Sequence, residues 1–139
     1  MKKIWILLSG IFGIFCIFLT ACTNHTADLP KEQGESVMYE QITPQKAKEL
    51  MKNESDYVIL DVREQDEFEE GHIEGAILIP YTQINAKAEE ILLQKDQLIL
   101  VYCRSGRRSK IAAEALVNLG YTNVKEFGGI IDWPYDIVK

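Results

Sequence analysis

The sequence predicts an α/β domain in which a parallel sheet is covered by helices on both faces. Three observations predict it. Apolar, β-rich runs alternate along the chain with segments of helical periodicity, the pattern of parallel strands joined by crossover helices. Two of those runs, residues 57–60 and 98–102, are apolar without interruption, as strands buried on both faces must be. The length of 139 residues, 47% hydrophobic and 26% charged, supports one core and is too short for two.

Residues 37–42 read as a first strand. Thr43 followed by Pro44 has the form of a helix start, an N-cap hydroxyl ahead of proline, and Ala47, Leu50 and Met51 then share a face. The strand over 57–60 ends at Asp61. The acidic stretch 64–70, with Phe68 as its main apolar side chain and Gly71 as a stop, predicts a short helix, and 76–79 the next strand. Ile84, Ala88, Ile91 and Leu92 recur at helical spacing, so residues 82–94 are expected to form an amphipathic helix. The most strand-like segment, 98–102, delivers Cys103. Ala112, Ala115, Leu116 and Leu119 then repeat at i, i+3, i+4 and i+7 with Gly120 as the cap, which predicts a helix over 109–119. Residues 123–127 form a last strand, followed by Gly128, Gly129 and a turn holding Trp133. Ligands of such sheets bind beyond the carboxyl ends of the strands, and Cys103 lies at one.

The first 36 residues are of another kind. Lys2 and Lys3 precede an apolar run, 4–19, broken by Ser9, Gly10 and Gly13. That is the form of a secretory signal, and it is short of the roughly 20 residues of a membrane span. Leu19, Thr20, Ala21 and Cys22 resemble the bacterial lipobox. Residues 1–21 are therefore expected to be a lipoprotein signal peptide and Cys22 the lipidated new N-terminus, whose diacylglyceryl group supplies the two chains that stable anchoring needs. An uncleaved signal anchor is the alternative, and both place the domain outside the cytoplasm, tethered to the cell membrane. Residues 22–36 are polar, with Pro30 and Gly34, and read as a flexible linker ahead of a domain over 37–139.

Without Lys2 and Lys3 the chain carries 13 basic against 21 acidic residues, which excludes a general nucleic-acid binder and a polybasic membrane surface. Of the three cysteines, Cys16 leaves with the signal and Cys22 takes the lipid, so Cys103 is the single thiol of the domain. That rules out a disulfide framework or a CxxC metal site there.

The chemistry converges on that thiol. Cys103, Arg104, Ser105, Gly106, Arg107, Arg108 and Ser109 join a buried strand to a helix N-terminus. Such a loop can curl around the sulfur, because Gly106 admits backbone angles closed to other residues and the helix start leaves N–H groups unpaired. These donors, the helix dipole and three guanidinium groups favour thiolate over thiol, and would hold a negative sulfur carried on the cysteine equally well.

This segment resembles the active-site loop of the rhodanese family. Further stretches agree: Leu60 to Arg63; Gly71 to Ala76 with Pro80; and Gly128 and Gly129 with Trp133. The resemblance covers about residues 37 to 135 and implies a single rhodanese-like domain, a five-stranded parallel sheet between helices. It also implies sulfur transfer, in which a cysteine takes sulfane sulfur from a donor such as thiosulfate, holds it as a persulfide, and passes it to a thiol or cyanide. Carried over, Cys103 is the nucleophile and the backbone N–H groups of Arg104, Ser105, Gly106, Arg107 and Arg108 form the cradle. Arg104, Arg107 and Arg108 would add positive charge for an anionic donor. No metal and no organic cofactor is implied, and a protein acceptor is allowed.

Two other readings differ in class. A binding module would retain the fold to hold a partner or to sense sulfide or redox state at the membrane, although a mere scaffold needs no thiolate. Cysteine phosphatases and arsenate reductases place arginine six residues after the cysteine, whereas here Ser109 is sixth and Arg108 fifth. The smaller ring suits one sulfur atom better than a phosphate. Asp61 and Arg63 are expected to pair at the strand end, His72 to hold its loop by a hydrogen bond, and Trp133 to pack as core. Gly128 and Gly129 read as sites of backbone permissiveness, and the acidic cluster 64–74 as a solvated face.

Overall fold

The computed structural model describes residues 38–139. The expected signal peptide, Cys22, the linker and Val37 lie outside the described residues. Five strands form one parallel sheet: β1 (Glu40–Gln41), β2 (Tyr57–Asp61), β3 (Ala76–Leu78), β4 (Leu98–Cys103) and β5 (Val124–Gly129), in the order β1-β5-β4-β2-β3. The helices are α1 (Pro44–Asn53), α2 (Gln65–Glu70), α3 (Ile84–Ile91) and α4 (Arg107–Asn118). Short 3-10 turns at Tyr81–Gln83 and Ile130–Asp132 complete the frame.

Two apolar layers hold the sheet. Leu60, Ile99, Val101 and Val124 point to the side of α3 and α4, where they meet Ile84, Ala88, Ala112 and Leu116. Ile59, Leu100, Tyr102 and Phe127 point to the other, against Ala47 of α1 and Trp133. All six residues of β4 are buried, and their two-residue period puts Cys103 on the α4 side with Ile99 and Val101. Thr43 caps α1 as its sequence predicts, its hydroxyl accepting the N–H of Lys46 at 3.1 Å.

Several boundaries differ from expectation for physical reasons. The first strand shrinks to two residues because only Glu40 and Gln41 find register partners on β5, at Lys125 and Glu126. The helix expected over 82–94 begins as a 3-10 turn behind Pro80 and ends at Ile91. Helix α4 starts at Arg107, two residues early, because Gly106 takes the left-handed conformation, with φ at 95°, and turns the chain directly into the helix. Arg107 and Arg108 thus belong to a helical first turn. The last strand runs on to Gly129.

The carboxyl end of β2 is fixed by the expected ion pair. Arg63 Nη2 lies 2.6 Å from Asp61 Oδ2 and also donates to the carbonyl of Gly71 at 2.7 Å. Asp61 is fully buried and Arg63 nearly so, and the Tyr102 hydroxyl beside them accepts the N–H of Ile73 at 3.1 Å. His72 Nδ1 sits 3.0 Å from the Phe68 carbonyl, its ring stacked on Phe68, so its role is local as expected. The backbone of His72 pairs with Val138, which ties the C-terminal segment to this loop.

Candidate active site

Cys103 ends β4 and is 1% exposed. Behind it the chain turns through Arg104 and Ser105, both exposed, to the buried Gly106. The N–H of Gly106 donates to Cys103 Sγ at 3.1 Å, and the Ser109 hydroxyl lies 3.5 Å from the sulfur. The first turn of α4 therefore opens onto Sγ, and its dipole favours negative charge there. Burial pushes the Cys103 thiol up. The Ser109 hydroxyl, when its proton faces the sulfur, and the N–H groups of Ser109, Gly106 and Ser105 oppose burial and hold the thiol below its ordinary value.

The loop is clamped from behind. The carbonyl of Arg104 accepts the N–H of Ile131 at 3.3 Å, so the turn after β5 fastens its outer side. Gly129 underlies it so closely that a Cβ there would sit 2.1 Å from the Arg104 oxygen. A cleft of about 650 Å³ lined by Lys48, Met51, Tyr57, Ile59, Ile73 and Tyr135 lies on the α1 side and does not include Cys103.

The three arginines of the loop are not equivalent. Arg104 and Arg107 are exposed and make no ion pair among the described residues. Arg108 turns to α2, where its Nη1 and Nη2 meet Glu67 Oε2 and Oε1 at 2.6 and 2.7 Å. Glu67 is thus an exception within the acidic cluster, most of which is solvated as expected. Its carboxylate also accepts the N–H of Glu64 at 3.2 Å.

Acid is expected to weaken this link. The Arg108 hydrogen bonds come first in holding the Glu67 carboxyl at about 2, against an ordinary 4.5, with burial opposing them. A carboxyl with a depressed folded value stabilises the fold above its unfolded value and ceases to do so as pH falls through the folded one. The loss therefore falls between pH 4.5 and about 2. Its size is about 1 to 2 kcal/mol, because both side chains reach water and screening reduces the full shift. Denaturant unfolding of the parent and Glu67→Gln across this window measures it, and identical pH slopes would deny the pair that role.

Two further groups escape a reading of local pattern. Ser109 is expected from sequence as the start of a helix and the sixth residue after the cysteine, with no part at the sulfur, yet its side chain is fully buried beside Sγ. Glu126, on β5, is 3% exposed, and its Oε1 accepts from Ser109 Oγ at 2.6 Å and from the N–H of Gly128 at 2.8 Å. The two-residue period of the last strand is the signal that could have found Glu126, since it puts the carboxylate on the same face as Val124.

Residues 43–134 match the rhodanese-like domain family. The chain belongs to that family. The rhodanese-like domain is 36% identical over 80 residues to the thiosulfate sulfurtransferase PspE of Escherichia coli, spanning 58% of this chain and 77% of that protein. It is 38% identical over 98 residues to the thiosulfate sulfurtransferase GlpE of Coxiella burnetii, spanning 70% and 89%. Among solved structures, a rhodanese-related protein of Thermoplasma volcanium superposes with a TM-score of 0.63 at 35% identity, covering 72% of this chain and 98% of that one. The rhodanese-like family and the five-stranded parallel sheet expected from sequence are both borne out.

Proposed function

We propose that this rhodanese-like protein is an exported, lipid-anchored sulfurtransferase that works through a persulfide on Cys103. The thiolate attacks the outer sulfur of a donor such as thiosulfate, the S–S bond breaks, and sulfite leaves with the electron pair. A thiolate or cyanide acceptor then attacks the outer sulfur of the persulfide and expels the Cys103 thiolate, giving an acceptor persulfide or thiocyanate. Both steps are nucleophilic covalent catalysis and need no metal and no organic cofactor. The observation that carries the reading is the Gly106 N–H on Sγ at 3.1 Å, at a strand end that opens onto a helix N-terminus. Relatives named thiosulfate sulfurtransferase support the donor class.

The cradle N–H groups hold the sulfur, while Arg104 and Arg107, exposed at the rim, attract the anionic donor. Arg108, spent on Glu67, braces α2 against the loop. Export and the lipid on Cys22 rest on the lipobox-like Leu19, Thr20, Ala21 and Cys22.

The test is intact mass after thiosulfate, with thiocyanate measured on adding cyanide. A gain of one sulfur, assigned to Cys103 and removed by cyanide, is expected. Folded, reduced protein that takes up no sulfur from several donors would overturn the reading and leave the binding or sensing module in its place.

A further inference from the structure

We propose that Glu126 is a positioning residue for Cys103: it takes the one hydroxyl proton of Ser109, turns that oxygen's lone pairs toward Sγ, and leaves negative charge on the sulfur to backbone N–H groups. The inference rests on Cys103 being the nucleophile of the proposed transfer.

The argument is an inventory of protons. Ser109 Oγ has four acceptors in reach: Glu126 Oε1 at 2.6 Å, the Gly106 carbonyl at 3.0 Å, the Gly128 carbonyl at 3.4 Å and Cys103 Sγ at 3.5 Å. A hydroxyl has a single proton, and a carboxylate only accepts. The charged acceptor at the shortest distance takes it. Glu126 Oε1 also receives the Gly128 N–H at 2.8 Å, so two donors converge on that oxygen. Buried Ser109 then faces the sulfur as an acceptor. A neutral Cys103 thiol donates its S–H to Ser109, whereas the thiolate gains nothing from this hydroxyl. The result is a sulfur more basic than its loop alone would make it, and a more basic thiolate is the stronger nucleophile.

Other charges that bear on the sulfur stay constant in the comparison. Arg108 acts on Cys103 from α4 with Glu67 of α2 as its partner, and Arg104 and Arg107 stand at the rim. Beside Glu126 on the sheet, Lys125 of β5 pairs with Glu40 of β1. Asp61 and Arg63 at the end of β2 are closed on each other.

The experiment is the pH dependence of iodoacetamide alkylation at Cys103 in the full chain, read by mass on its peptide, for the parent, Glu126→Gln, Ser109→Ala and the double variant. Glutamine keeps the shape and weakens the pull on the Ser109 proton. Glu126→Gln is expected to move the alkylation midpoint to lower pH, and by about half a pH unit more with Ser109 present than with alanine there, about threefold in thiolate. Equal shifts in both backgrounds would mean that the carboxylate acts by charge alone, and would overturn the proposal, as would no shift or a rise. Infrared absorption of the S–H stretch tests the point in the parent, below the midpoint. Donation to Ser109 lowers the frequency, so Ser109→Ala is expected to raise it, and an unmoved band overturns the proposal. Both readouts report on the thiol itself, so their failure is distinct from a failure to take up sulfur from thiosulfate.

Discussion

Gly129→Ala is expected to collapse the Cys103 loop, while Gly128→Ala leaves it in place. Gly129 has ordinary extended angles, φ −122° and ψ 154°, so conformation is not what demands glycine. Space is. An added Cβ would meet the Arg104 oxygen at 2.1 Å, its carbonyl carbon at 2.5 Å and Ser105 Cα at 2.6 Å, all of them backbone. The strand cannot retreat, because β5 is pinned to β1 on one side and β4 on the other. The loop must therefore lift, and the N–H groups around Sγ go with it. Destabilisation of about 2 to 3 kcal/mol, the upper range for overpacking, should accompany loss of sulfur uptake by Cys103. Gly128 is the reverse case: φ is 91°, and a Cβ there meets nothing within 4 Å. Alanine at 128 should cost about 1 to 2 kcal/mol of left-handed strain and spare the uptake. Denaturant unfolding with intact mass after thiosulfate checks both, and sulfur uptake at the parent rate in folded Gly129→Ala would refute the packing argument.

Cys103→Ser is expected to remain folded and to transfer no sulfur above the buffer rate. The side chain is buried among Val101, Ala112 and their neighbours, and a serine oxygen can accept the Gly106 N–H in place of sulfur. The change in stability should be about 1 kcal/mol. Chemistry is lost because a hydroxyl needs a general base to become a nucleophile, and Ser109, the only side chain hydrogen-bonded to Sγ among the described residues, is itself a hydroxyl. Cyanide-dependent thiocyanate formation and the mass adduct should vanish together. Turnover persisting in the variant would place the reaction elsewhere in the molecule.

What could be read without coordinates was local. Apolar runs announced β2 and β4, whose residues are buried whatever their neighbours, and Thr43 with Pro44 announced α1. Cys103 was legible because its strand, glycine and helix start are consecutive in the chain. The boundary at Arg107 was not, since it depends on Gly106 adopting φ 95°, a choice that tertiary packing makes. Glu67 meets Arg108 across 41 residues and Glu126 meets Ser109 across 17; the strand period turns Glu126 inward, but nothing local names the partner of either carboxylate. Gly129 misleads more subtly. Beside Gly128 it looks like a second flexible glycine, whereas its contact with Arg104 makes it the place where two backbones touch.

That contact also dates the reactive sulfur within the life of the chain. The strand that backs the Cys103 loop, β5, comes after Cys103 in the chain. Strands β2, β3 and β4 precede β5 in the chain, and β1, at the edge of the sheet, has β5 as its neighbour. Pairing between the two ends of a chain closes late and slowly. Until Gly129 lies beneath Arg104, the turn at Gly106 lacks the backbone that supports it in the fold. The N–H groups that hold the sulfur below its ordinary value are therefore expected to be in place only once β5 has docked.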